Sequence, residues 1–285
     1  MRVPPARFSA LVFALAALLG ASCAHLPTPK EQELAENYYD QGVLAMKGDR
    51  PQEALQHFQD AVGEDPALPQ PHNALGLLYW WSYAEAPKAK AQFELALKLD
   101  PHYAEAANNL GTFLTELKDY AGAQKAYNQA LAQPLYKTPF VAQVNLGWLF
   151  HLEGHDAQAE RTIRSALTAE PGYCVGHRQL ARLLEATGRT KEATEQWNRF
   201  VALCPNSPEA LLHGAKIEAA KGDAVGAARD LEKCLAKAGG QPVARECRQA
   251  LSRLPPLPPG SLTPPPSPPA NGELGKAQDL GAVTP

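Results

Sequence analysis

The stretch NNLGTFLTELKDYAGAQKAYNQAL, Asn108 to Leu131, holds the pattern from which the rest of the chain can be read. Three features stand in a fixed order: Leu110-Gly111, an alanine twelve residues later at Ala123, and a large apolar side chain four further on at Tyr127. Moving outward, Leu-Gly recurs at Leu75-Gly76 and Leu146-Gly147, and a related small residue stands at Gly42, Ala181 and Ala215. The steps between these small residues are 34, 35, 36, 34 and 34 positions. The alanine follows each time, at Ala54, Ala89, Ala123, Ala159, Ala193 and Ala227, and the large residue follows it, at Phe58, Phe93, Tyr127, Ile163, Trp197 and Leu231. Self-similarity at such a period is the mark of a repeat array.

Each column has a physical reason. A small residue lets two helices approach closely, and the large residue one turn beyond the alanine fills the gap between neighbouring pairs. Proline then stops the second helix, at Pro66, Pro101, Pro134, Pro171 and Pro205. Turn signals divide the halves of the units: Lys47-Gly-Asp49, Glu153-Gly-His155, Thr187-Gly-Arg189 and Lys221-Gly-Asp223. The pattern resembles the tetratricopeptide repeat, in six copies over about residues 35 to 239. The expected fold is all-α, a superhelix of six helix pairs, with Pro242 to Leu254 as a helix capping the last apolar face. Such an architecture implies binding rather than chemistry.

The 285 residues are 45% apolar with a formal net charge of −3, so nothing suggests the clustered basic face that nucleic acid requires. Prolines crowd one place: nine of the 26 fall between Pro255 and Pro269, in LPPLPPGSLTPPPSPP. No helix or central strand can form there, and residues 254–285 are expected to be an extended, disordered tail, with a docking peptide as the alternative.

The N-terminus reads differently. Arg2 and Arg7 precede an almost unbroken apolar run from Phe8 to Leu19, and Gly20, Ala21 and Ser22 follow, the layout of a secretory signal peptide over 1–22. The run is too short for a comfortable transmembrane helix. Leu18 to Cys23, LLGASC, resembles the lipobox of bacterial lipoproteins, with Gly20 where a leucine is usual. The expectation is lipidation at Cys23 and a lipid-anchored linker over 23–34; cleavage after Ser22 or Ala24 to a soluble secreted product is the rival. The chain has five cysteines, and an exported protein would carry an odd thiol unless Cys23 is used up. Of the remaining Cys174, Cys204, Cys234 and Cys247, antiparallel helices would bring Cys174 to Cys204, and the capping helix would bring Cys247 to Cys234. Free buried thiols are the alternative.

In a tetratricopeptide array the first helix of each unit lines the concave side, and positions three before, one after and four after the small residue share a stripe. That stripe reads Tyr39, Val43, Met46; Asn73, Leu77, Trp80; Asn108, Thr112, Thr115; Val144, Trp148, His151; then Arg178, Arg182, Glu185 and Leu212, Lys216, Ala219. The expectation is a partner-binding groove, apolar and aromatic over the first four units and charged over the last two, with interhelical packing as the bland reading of Trp80 and Trp148. Catalysis finds no support. His151-Leu-Glu-Gly-His155 displaces the glutamate from the zinc-peptidase spacing and puts a glycine at a turn, and no phosphate loop or nucleophile elbow is present. No cofactor, metal or small-molecule substrate is expected.

A lipoprotein signal followed by six such units is similar to the type IV pilus biogenesis and stability family, the PilF/PilW/Tgl-type pilotins. Asn108 to Leu131 and the lengthened junction AQPLYKTPFVAQVNLGWLF after it, with Leu135-Tyr136, carry the closer likeness. The resemblance implies an outer-membrane lipoprotein, facing the periplasm, that binds monomers of the pilus secretin and promotes ring assembly. Ala24 after the lipidated position is consistent with outer-membrane sorting. A generic periplasmic scaffold in envelope assembly is the alternative.

Overall fold

The structure, a computed structural model, describes residues 26–239 and 241–258. The signal peptide 1–22, Cys23 and the tail from residue 259 onward lie outside the described residues. Thirteen helices run in chain order: α1 (Pro29–Lys47), α2 (Pro51–Glu64), α3 (Pro69–Trp81), α4 (Ala86–Leu99), α5 (Ala104–Glu116), α6 (Tyr120–Leu131), α7 (Pro139–Leu152), α8 (Asp156–Ala169), α9 (Cys174–Ala186), α10 (Thr190–Leu203), α11 (Pro208–Ala220), α12 (Ala224–Ala238) and α13 (Pro242–Leu251). Consecutive helices pack as six pairs, α1 with α2 through α11 with α12, each pair stacks on the next, and α13 closes the end against α11 and α12. The chain is a tetratricopeptide-repeat superhelix with a capping helix.

The packing between the members of a pair follows the two columns. Phe58, Phe93, Tyr127, Ile163, Trp197 and Leu231 are all buried, none more than 5% exposed. The ring of Phe93 lies where the Cβ of any residue other than glycine at position 76 would be, at 2.7 Å, and Tyr127 stands in the same relation to Gly111 at 2.6 Å. Burying a side chain of this size contributes about 1.5–3 kcal/mol, and the missing Cβ is what permits it.

Prolines act at both ends of helices. Asp65, Asp100 and Glu170 close α2, α4 and α8 with ψ of 93°, 98° and 84°, the non-helical backbone imposed on a residue before proline. At the start of α1, α2, α3, α7, α11 and α13 a proline occupies the first helical position, where no backbone N–H is needed. His72 and His177, in equivalent places on α3 and α9, tie these corners together. Their Nδ1 atoms lie 2.8 Å from Oε1 of Gln92 and Gln196, and their Nε2 atoms 3.1 and 3.0 Å from the carbonyls of Pro66 and Pro171.

One boundary differs from the sequence reading. The segment 29–34, expected to be linker, is helical, because Thr28 and Glu31 form a reciprocal capping box that starts α1 there. The turn Lys47-Gly-Asp49 also differs from its twin at Lys221: the left-handed residue is Asp49, φ 54°, in the first and Gly222, φ 87°, in the second. Aspartate tolerates that conformation better than most non-glycine residues, so the same tripeptide serves in two registers. In the lengthened junction between α6 and α7, Leu135 is 90% exposed while Tyr136 is buried against Ala104, Ala107, Ala130 and Ala142. Burial pushes its phenol up to about 12.

Candidate binding groove

The concave face holds a groove of about 940 Å³ running from Trp80 and Trp81 on α3 to Pro242, Val243 and Glu246 on α13. All four tryptophans of the chain, Trp80, Trp81, Trp148 and Trp197, line it. Trp80 is partly structural: its ring meets Phe113 edge-on at 5.6 Å and its indole N–H donates to Glu116 at 2.9 Å. Trp81, 41% exposed, stands beside it with ring centroids 5.3 Å apart. Trp148 projects from α7 next to His151, with ring centroids 4.8 Å apart, and Leu152 adds an exposed apolar surface one turn on. Apolar and aromatic surface of this kind, left open on a concave face, is the usual character of an anchor pocket.

Of the expected groove residues, Trp80, Asn108, Thr112 and Trp148 line the groove, as do Thr115, Arg178, Arg182, Glu185, Leu212 and Lys216. Tyr39, Val43 and Met46 pack instead against the core formed by Ala45, Phe58 and Leu78. Asn73, Leu77 and Val144 are buried, at 1%, 6% and 0% exposure. The reason is local. Asn73 is taken up by the hydroxyl of Tyr103 in the next unit, and Leu77 and Val144 by the apolar core, whereas Asn108, Arg178 and Leu212, in the same column as Asn73 and Val144, keep an edge on the groove.

The asparagines show this most directly. Asn109 Nδ2 donates to Asn73 Oδ1 at 3.1 Å, Asn73 Nδ2 to the Tyr103 hydroxyl at 3.3 Å, and Asn145 Nδ2 to Asn108 Oδ1 at 3.0 Å. They form hydrogen-bonded rungs between successive units. Asn109 and Asn145 were not in the expected stripe, yet with Gln179 and His213 they form a polar row two positions before the small residue, and all four line the groove. The signal was in the sequence: four consecutive units carry an amide or imidazole in that column.

The charged half is more neutralised than its sequence implied. Arg178 Nη1 and Arg182 Nη2 both reach Glu209 of the next unit, at 3.1 and 2.5 Å. Trp197 donates its indole N–H to Glu185 at 2.8 Å and stacks on His213 at 3.4 Å between ring centroids. Burial, aided by the positive charges of Lys216 and Arg182, pushes the His213 imidazole down to about 3, so it is neutral at physiological pH. Two buried polar atoms here, Arg178 Nε and Gln179 Oε1, have no hydrogen-bond partner.

One of the two disulfides lines the groove, and the other is buried in the core of the last unit. Cys174 at the start of α9 is bonded to Cys204 at the end of α10, and Cys234 of α12 to Cys247 of α13. His151 Nδ1 lies 2.6 Å from Asp156 Oδ1, and Gly154 sits at the turn with φ 82°. Among the described residues no helix is long and apolar enough to cross a membrane.

Tetratricopeptide-repeat family models match residues 84–139 and 175–217. The chloroplastic tetratricopeptide repeat domain-containing protein PYG7 of Arabidopsis thaliana is 39% identical over 80 residues, 28% of this chain and 25% of that protein. The chain therefore matches only about a quarter of that relative's length. The solved structure of Pseudomonas aeruginosa PilF has a TM-score of 0.59 at 22% identity, covering 77% of this chain and 99% of its own. That of PilW, a widely conserved type IV pilus biogenesis factor, has a TM-score of 0.60 at 25% identity, covering 75% of this chain and 98% of its own. The chain thus has a tetratricopeptide-repeat fold, similar to that of Pseudomonas aeruginosa PilF and to that of the type IV pilus biogenesis factor PilW.

Proposed function

We propose that the chain is a type IV pilus biogenesis factor acting as a pilotin: an outer-membrane lipoprotein, anchored through Cys23, that binds secretin monomers and promotes their assembly. The observation that carries the reading is extent. PilW is matched over 98% of its length, so the likeness takes in its repeat array nearly from end to end rather than one or two units of a common motif. The N-terminal pattern ending in Cys23 supports a chain held at a membrane. The groove supports capture of a protein segment, because its open tryptophans suit an apolar stretch and the neighbouring amides and arginines can meet the polar groups of a bound backbone.

The roles within the groove then divide. Trp81, Trp148 and Leu152 anchor the partner, Asn145 and Gln179 orient it, and the Arg178–Glu209–Arg182 cluster fixes the shape of the far half. The reading is tested by comparing secretin multimers in membranes of cells with and without this protein. Loss of multimers from the outer membrane, restored by the wild-type chain and not by Cys23→Ala, is expected. Undiminished multimers would leave the chain a general envelope scaffold.

A further inference from the structure

The groove and the tail that follows α13 fit one another in composition, charge and reach. Every tryptophan of the chain faces this groove, and the densest run of proline in the chain, Pro264-Pro-Pro-Ser-Pro-Pro269, comes a few residues after the last described position. Aromatic-lined grooves are the surfaces that take polyproline ligands, since the extended helix loses little entropy on docking and its rings stack on indoles. From Leu254 to Gly272 the tail carries no charged side chain. It therefore suits the half of the groove that has Trp81, Trp148 and Leu152, not the half that has Arg178, Arg182 and Glu209.

The distances close. Neighbouring units stack at about 10 Å, so the last unit lies about 20 Å from α7 and about 40 Å from α3. The six residues from Pro258 to Pro264 span at most about 20 Å when extended, the length of the two-unit step from the last unit to α7. The next five, at about 3.1 Å each, carry Pro269 roughly 16 Å further, toward Trp81. We propose that residues 264–269 of this chain dock in its own groove, laid as a polyproline ligand from Trp148 to Trp81, with 255–263 as the strap. Tethering holds the ligand at an effective concentration of order millimolar, so even a weak site is filled. The tail then competes with any partner segment for the same anchors. That last consequence rests on the groove being the partner site; the docking does not.

The test uses two full-length chains, the wild type and one with Pro264, Pro265, Pro266, Pro268 and Pro269 each changed to Ser. A synthetic peptide of residues 261–271 is titrated into both, read by tryptophan emission and by calorimetry. The serine chain should bind the peptide saturably, and the wild type at least about tenfold more weakly because its groove is filled. Trp148→Ala in the serine chain should abolish binding with the helical signal intact, and Trp148→Phe should recover part of it. Acrylamide should quench the serine chain more than the wild type at every dilution. Equal peptide binding by both chains, or none by the serine chain, overturns the proposal. A quenching difference that vanishes on dilution overturns it in favour of a second copy's tail. Equal binding of purified secretin to both chains, with the peptide difference intact, overturns the competition between tail and partner while leaving the docking standing.

Discussion

Changing Gly76 to alanine should destabilise the protein, although alanine is the better helix former. A Cβ at position 76 would lie 2.7 Å from Cδ1 and Cε1 of Phe93, about 0.7 Å inside the shortest comfortable contact. Phe93 is fully buried, and its ring is backed by Phe113 with centroids 5.8 Å apart, so it cannot swing away. Overpacking of this kind costs about 1–3 kcal/mol, and the helical preference for alanine returns about 1 kcal/mol. The net is a loss of up to about 2 kcal/mol, or up to about 8 °C in Tm for a chain of this size. The control is Gly214→Ala, in the middle of α11. There a Cβ meets nothing closer than Asp230 Oδ2 and Val201 Cγ1 at 3.6 Å, so about 1 kcal/mol of stabilisation is expected. Thermal and urea unfolding followed by circular dichroism measure both. A Gly76→Ala chain as stable as Gly214→Ala would refute the packing argument, and so would an unchanged penalty when Phe93 is also replaced by leucine.

Other expectations follow from the same geometry. Removing the Cys174–Cys204 bridge, which spans 30 residues, should cost about 3.6 kcal/mol, and removing Cys234–Cys247, which spans 13, about 2.9 kcal/mol; alkylation without reduction should find neither pair free. His213 has its pKa lowered to about 3 from the ordinary 6.5, so the unfolded chain binds the proton first and the contribution, complete above pH 6.5, is lost as pH falls toward 3. Between pH 6.5 and 5 that amounts to about 2 kcal/mol, and His213→Asn should flatten the corresponding slope in urea midpoints. Metabolic labelling with a fatty acid should mark the wild type and not Cys23→Ala; an unlabelled wild type would refute the anchor.

The repeat array was legible because it is written in spacing. Gly76 and Phe93 are seventeen positions apart, and their partnership is repeated in every unit, so the helix pairing could be read without any coordinate. The groove was legible only in part, since a stripe on a helical wheel does not say which neighbour each edge meets. Asn73 and Val144 are buried, whereas Asn145 and Gln179, one position along in their units, face the cavity. One position is about 100° of helix rotation, enough to exchange a stacking residue for a lining one. Trp81 was missed for the same reason. The neutralisation of Arg178 and Arg182 depends on Glu209, which is about thirty positions away and belongs to another unit, and no local pattern announces it.

The most direct test of the groove as the working surface is the affinity of purified secretin for the wild-type chain and for the double variant Trp81→Ala, Trp148→Ala, with Lys98→Ala, exposed on α4 and outside the groove, for comparison. Both tryptophans stand on the groove's open side, and anchors of this type contribute about 2 kcal/mol or more each when they are fully covered. The account predicts that the double variant keeps its helical content and Tm within a few degrees while its binding weakens by at least about 2 kcal/mol, with Lys98→Ala close to wild type. Unaltered secretin affinity in a folded Trp81→Ala, Trp148→Ala chain would contradict it.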